Sequence, residues 1–338
     1  MNYKVIKTVR IKPQMKKPTF KSKNIDFDPF DIYPDNIQHN KPILLVDLGY
    51  VTFYRFNATK TWYKHSHPEE KEEVKKEGYE WGDNKEFMEK FSSQYVKCIQ
   101  DIAKKFKVPE HNVIMAQDCS SCDNWRNDLF ADYKLTRKEQ REKTGFDGAK
   151  VFKYVFDVLL EGIVKNYGFK LFKHNNIEAD DINAVIAKYY QSNFPSTNVY
   201  ILASDKDYMQ LGNEHFFLVD FKKNILNDKT KDPKNADGKY QLWHKIISGD
   251  KSDNIAPLKI QRKYIRPAAK TRLDEYINAS KKDAEVLASN WKKFLKDIQK
   301  DPKLVNMKQL ELNKKLVDFD NIPNKYAKVV IKQLLSYL

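Results

Sequence analysis

A chain of 338 residues with 13% aromatic side chains holds enough apolar material for one large or two ordinary domains, which excludes a small stapled scaffold and a wholly disordered chain. Lys and Arg number 61 against 46 Asp and Glu, a formal charge of +15, so polyanionic partners are favoured, nucleic acid before an anionic membrane. A Lys-rich surface kept for solubility is the plain alternative.

In chain order, residues 1–40 form a basic extension in which Lys4, Lys7, Arg10, Lys12, Lys16, Lys17, Lys21 and Lys23 precede any acid. It reads equally as a solvated tail or an arm that touches phosphates. Order begins at the strand Ile43-Leu44-Leu45-Val46, which ends at Asp47. Residues 60–86 read as an exposed loop, followed by a helix from Phe87 to Phe106 and a strand from Asn112 to Ala116 that ends near Asp118. Further helices are expected from Val151 to Tyr167, stopped by Gly168, and from Ile182 to Tyr190, with a strand at Val199–Ala203 and a loop over 222–239.

Strands alternating with helices predict an α/β fold, a mostly parallel central sheet flanked by helices. Past residue 248 the strand signals fade, and helical patterns at 283–299, 304–317 and 325–337 predict a smaller C-terminal helical domain. The expected organisation is thus 1–40, 41–248 and 249–338. Cys98, Cys119 and Cys122 make no disulfide framework, and Cys119 and Cys122, though spaced as CxxC, lack a second pair. No apolar run reaches transmembrane length and no leader is apparent near Met1, so a soluble, intracellular protein without a membrane role is expected.

The chemistry lies in the acids at the strand ends. Asp47, Asp118 and the pair Asp205 and Asp207 each follow a strand, at the sheet edge where open parallel sheets bind ligands. Glu178, Asp180 and Asp181 stand at the start of the helix through Ile182, and Asp250 and Asp253 lie three apart in Ser248-Gly249-Asp250-Lys251-Ser252-Asp253-Asn254. Singly, each has an ordinary explanation as a helix cap or turn residue. Together they would repel one another unless cations neutralise them, and an all-oxygen set with no His or Cys cluster suits Mg²⁺ or Mn²⁺ better than Zn²⁺. Two such ions would activate water and clamp a phosphodiester.

Six motifs stand in one order: Leu45-Val46-Asp47; Asp118 with Trp125-Arg126; Tyr133-Lys134 with Arg137; Glu178-Ala179-Asp180-Asp181; Ser204-Asp205-Lys206-Asp207 with Gln210-Leu211; and Gly249-Asp250-Lys251-Ser252-Asp253-Asn254. In these the chain resembles the 5′ nucleases of the flap-endonuclease superfamily, and within it the ribonuclease H branch of T-even phages. The likeness is strong over residues 43–255 and weaker beyond. It implies a Mg²⁺-dependent 5′–3′ exonuclease and flap endonuclease that removes lagging-strand RNA primers from RNA–DNA and DNA–DNA duplexes. By the same resemblance Asp47, Asp118, Glu178, Asp180 and Asp205 would serve a first Mg²⁺, and Asp181, Asp207, Asp250 and Asp253 would hold or position a second, with Mn²⁺ as a substitute.

The resemblance further implies that the stretch 123–145 belongs to an arch over the site, with Lys134 and Arg137 stabilising the scissile phosphate and Tyr133 stacking a base. Its bland counterpart is an exposed helix laced with local ion pairs to Asp132, Glu139 and Glu142. Arg126 reads either as a phosphate contact or as a cation stacked on a core Trp125. Lys259, Arg262, Lys263, Arg266, Lys270 and Arg272 form a run without acids that would grip duplex phosphates. The segment Asn254–Ile260 lacks the glycines of the superfamily's helix-hairpin-helix, so side chains rather than backbone nests would meet the duplex. A monomer is expected, located in the host cytoplasm if viral, with a sliding clamp and a single-strand-binding protein as partners implied by the family alone. The competing functions are a non-catalytic branched-DNA binding protein and an endoribonuclease of the PIN class.

Overall fold

The computed structural model describes residue 30 and residues 41–76, 78–121, 123–137, 146–231, 233–234, 236–266 and 276–338. The basic extension apart from Phe30, residues 138–145 of the arch, Cys122, Lys270 and Arg272 therefore lie outside the described residues.

Five short strands make one parallel sheet: β1 (Ile43–Asp47), β2 (Val113–Gln117), β3 (Lys170–Lys173), β4 (Val199–Leu202) and β5 (Phe216–Val219), in the order β3-β2-β1-β4-β5. Side chains alternate across it. Ile43, Leu45, Ile114, Ala116, Ile201 and Leu218 enter one core, while Leu44, Val46, Val113, Met115, Leu202 and Val219 enter the other. Both faces are buried, which is why these strands read as continuous apolar runs. The first core is covered by α5 (Ala179–Asn193) and by the last helix, α10 (Asn324–Tyr337). The second is covered by α1 (Leu48–Ser66), α2 (Lys85–Lys105), α3 (Ala149–Tyr154) and α4 (Leu160–Tyr167), with a π turn at Val155–Leu159 between the last two. Gly168, at φ +68°, stops this run as the sequence predicts.

Helix α1 corrects the sequence reading, which assigned it no element and placed 60–86 in an exposed loop. Its inward face is Leu48, Val51, Thr52, Phe56, Thr59 and Tyr63. Two of those positions are threonines, each donating its hydroxyl to a carbonyl four residues back, Leu48 at 2.6 Å and Arg55 at 2.8 Å, so the buried stripe is not an apolar one. Between α1 and α2 lie 3₁₀ turns that bury Val74 and Trp81, and residues 85–86 already open α2. Strands β3 and β5 also went without a sequence signal; β3 begins and ends on lysine.

A third core gathers α6 (Gly238–Ser248), α7 (Lys281–Ser289), α8 (Trp291–Lys300) and α9 (Met307–Val317), together with Tyr133 from the arch segment. The pattern at 283–299 is two helices, because the chain leaves helical geometry at Asn290. A small antiparallel pair, β6 (Lys259–Gln261) with β7 (Tyr276–Asn278), adds strands where only helices were expected. By packing, α6 joins the C-terminal helices and α10 returns to the sheet.

Candidate active site

The sheet order reverses between β1 and β4, and the carboxyl ends of these strands face the cleft that holds the acids. Asp47, the last residue of β1, caps α1: its Oδ1 accepts from the Tyr50 N–H at 3.0 Å and its Oδ2 from the Tyr208 hydroxyl at 3.2 Å. Asp118 follows β2 and accepts from the Ala179 N–H at 2.8 Å, which ties that strand end to the start of α5. Glu178 is the N-cap residue of α5, with Asp180 and Asp181 in its first turn, where the helix dipole favours negative charge. Asp205 follows β4 and accepts from the Asp207 N–H at 2.9 Å.

These elements bring Asp47, Asp118, Glu178, Asp180, Asp205, Asp207 and Asp253 to one cleft of about 760 Å³, together with Lys134 and Arg137. An adjoining pocket of about 330 Å³ shares Asp205 and Asp207 and adds Asp250 and Lys245. Ligand oxygens of Glu178, Asp180 and Asp181 lie within 4.8 Å of one another.

Asp181 stands behind the cleft, fully buried. Arg126 holds it in a fork, Nη2 to Oδ1 at 2.7 Å and Nη1 to Oδ2 at 2.8 Å, and the Trp125 indole N–H donates to Oδ2 at 2.7 Å. Arg126 also donates to Glu178 at 3.0 Å and to the Leu316 carbonyl of α9 at 2.8 Å. At 2% exposure it is a core residue, its guanidinium over the Trp125 ring at 4.5 Å. Tyr133 is buried too, donating its hydroxyl to Glu178 at 3.2 Å, so its ring packs into the third core instead of standing open to a passing base. Lys134 pairs with Glu178.

Burial and charge divide the acids. Burial, reinforced by Asp118, pushes the Asp47 carboxyl up to about 7. Asp118 is raised by burial, and Asp180 by burial and by Glu178 beside it. Burial also pushes Glu178 upward, but Lys134 and Arg126 outweigh it and bring this carboxyl down to about 2. Among the described residues, no Lys or Arg forms an ion pair with Asp47, Asp118, Asp180 or Asp205. Oxygen donors crowded together and lacking a cation are the set that hard divalent ions complete.

The second group is organised by Lys245 of α6, which the sequence reading passed over. Its Nζ pairs with Asp207, with Asp250 at 3.0 Å and with Asp253 at 3.9 Å. Asp207 nonetheless rises to about 6, since burial outweighs Lys245, while Lys245 and Ser252 overcome burial at Asp250 and bring it to about 2. A lysine on a helix that runs straight into an acidic loop was the available signal. Arg137 pairs with Asp253 at 2.6 Å and donates Nε to the Ser252 carbonyl at 3.0 Å. The Lys134 N–H donates to the Asp253 carbonyl at 3.1 Å, so the arch base and the acidic loop are joined through backbone as well as charge. Lys134 adopts φ +57°, so residues 133–137 do not form one continuous helix.

Of the basic run, Lys259, Lys263 and Arg266 are exposed and Arg262 is half-buried. Arg266 spends part of its charge on Asp283 at 3.3 Å.

Residues 43–241 match the model of the 5′-3′ exonuclease N-terminal resolvase-like domain, and residues 238–338 match that of the C-terminal part of T4 RNase H. Ribonuclease H of Enterobacteria phage T4 is 25% identical over 234 residues, covering 67% of this chain and 70% of its own. Among solved structures, T5 5′-exonuclease with bound divalent zinc ions superposes with a TM-score of 0.59 at 20% identity, over 88% of this chain and 99% of that one. The bacteriophage T5 D15 flap endonuclease, in a pseudo-enzyme-product complex with DNA and metal ions, gives 0.58 at 18% identity over 88% and 99%. No described helix is long and apolar enough to cross a membrane.

Proposed function

The chain belongs to the 5′-3′ exonuclease family, and from that premise we propose that it is a Mg²⁺-dependent 5′–3′ exonuclease and flap endonuclease which removes lagging-strand RNA primers. The observation that carries the reading is the convergence of acids from β1, β2, β4, α5 and the 250–253 loop on one cleft that also receives Lys134 and Arg137. Asp47, Asp118, Glu178, Asp180 and Asp205 are assigned to one divalent ion, and Asp207, Asp250 and Asp253 to another, with Asp181 acting through Arg126. Mg²⁺ is the preferred ion and Mn²⁺ a substitute, because all the donors are hard oxygens. Divalent ions bound there supply Lewis acidity and charge neutralisation for phosphodiester hydrolysis.

The protein's own part is placement and electrostatics. Lys134 and Arg137 meet the scissile phosphate, where negative charge develops, and Arg126 helps keep Glu178 ionised and holds both Glu178 and Asp181 in place. Residues 41–248, with Asp250 and Asp253 from the loop that follows, are assigned the chemistry. Residues 249–338 are assigned the grip on duplex phosphates through Lys259, Arg262, Lys263 and Arg266, and the DNA complex of the T5 relative supports a nucleic-acid substrate. A sliding clamp and a single-strand-binding protein are proposed partners on family grounds, the chain acting as a monomer.

The test is cleavage of an end-labelled 5′-flap DNA and of an RNA–DNA hybrid, with Mg²⁺ and with EDTA. Mono- and short oligonucleotides released from the 5′ end only with Mg²⁺ are expected. Folded protein that yields no metal-dependent product refutes the proposal.

A further inference from the structure

The loop that carries Asp250 and Asp253 is a tight hairpin. Asp250 and Ile255 exchange both backbone hydrogen bonds, at 2.9 and 2.7 Å. Gly249 enters it at φ +67°, where an added Cβ would lie 2.4 Å from the Ile255 carbonyl oxygen, and Asn254 turns it at φ +62°. What closes the base of the hairpin comes from elsewhere in the chain. Asn313 of α9, fully buried, donates Nδ2 to the Ile246 carbonyl at 2.8 Å and to the Ala256 carbonyl at 2.9 Å. Its Oδ1 accepts from Gln309 Nε2 at 2.8 Å, which sets the orientation of the amide.

Ile246 lies in the last turn of α6, one residue after Lys245, and its carbonyl has no partner within the helix. Ala256 follows the hairpin's closing residue. One amide thus bridges the two ends of the segment that presents Lys245, Asp250 and Asp253, while touching none of the carboxylates. A leucine would fill the same volume and strand two buried carbonyls. The same helix reaches the other acid group through the Leu316 carbonyl and Arg126, a bond that a change at position 313 leaves in place.

We propose that Asn313 is a positioning residue for the Asp207, Asp250 and Asp253 group, setting its affinity for one divalent ion and leaving the other ion's site alone. The inference rests on the two-ion reading above. The experiment is calorimetric titration of Mn²⁺ into the full chain, wild type and Asn313→Ala, with circular dichroism to verify folding and fluorescence anisotropy of a 5′-flap DNA in EDTA. The wild type should show two binding events. In Asn313→Ala one event weakens by about tenfold or more, the other stays within about twofold, and metal-free DNA affinity is unchanged. Two unchanged events, or two weakened alike, overturn the assignment. If Asn313→Ala does not fold, Gln309→Leu, altering a half-exposed partner, should weaken the same single event by about threefold, and no selective change there overturns it equally. A wild type with one event refutes the two-ion reading itself, a result distinct from the failure of Asn313.

Discussion

The metal-free protein should become less stable as pH rises through neutrality, against the common trend for a chain rich in acid–base pairs. Asp47 carries the effect. Its carboxyl moves from 3.8 to about 7 on folding, so between those values the folded state holds a proton that the unfolded chain has lost. Stability then declines as pH climbs, because the native state binds more protons than the unfolded one. At about 1.4 kcal/mol per pH unit, the interval from pH 5.5 to 7 costs about 2 kcal/mol from this residue alone. Asp207, raised to about 6, and Asp118 and Asp180, also raised, act with the same sign. Scanning calorimetry in EDTA should therefore show Tm falling by about 4 °C or more between pH 5.5 and 8.5. Saturating Mg²⁺ should flatten or reverse the slope, because ion binding requires ionised carboxylates. His174 and His244, lowered by burial, contribute with the opposite sign, so the decisive comparison is wild type against Asp47→Asn. Parallel Tm curves for the two proteins in EDTA refute the reasoning.

Other outcomes follow from single residues. Arg126→Met leaves Asp181 buried without its cation and Glu178 with Lys134 alone, and should cost about 3–5 kcal/mol in urea unfolding, with Arg126→Lys failing to restore the fork. Lys134→Ala should lower single-turnover cleavage by about 10²–10³-fold, while metal-free affinity for the flap substrate changes far less. Gly249→Ala forces a Cβ against the Ile255 carbonyl at a positive φ and should destabilise the protein by roughly 1–3 kcal/mol, measured by chemical denaturation. For duplex binding, Lys263→Ala should reduce the slope of log K against log salt by about 1; an unchanged slope removes Lys263 from the phosphate contacts.

Much of the sheet was legible because buried parallel strands are continuous apolar runs, and Ile43–Val46 and Val199–Ala203 are such runs. The acids at their ends were legible for a related reason: a carboxylate that ends a strand and caps the next turn, as Asp47 and Asp205 do, is a local feature. Helix α1 was not, because buried threonines that bond their own backbone break the apolar stripe by which an amphipathic helix is known. Tyr133, which the family resemblance cast as a stacking platform for a base, instead sends its ring into a core built by helices more than a hundred residues later.

Residue order alone therefore settled the fold class, the family and most of the acids that line the cleft, since each depends on residue type and short-range spacing. Which donors are neutralised by protein cations and which stay bare was decided only in three dimensions. Arg126 reaches the Leu316 carbonyl across 190 positions, Lys245 reaches Asp207 across 38, and Asn313 reaches Ile246 across 67. A buried charge is set by whatever lies within a few ångströms of it, and in a folded chain those neighbours come from distant stretches that no local pattern brings together.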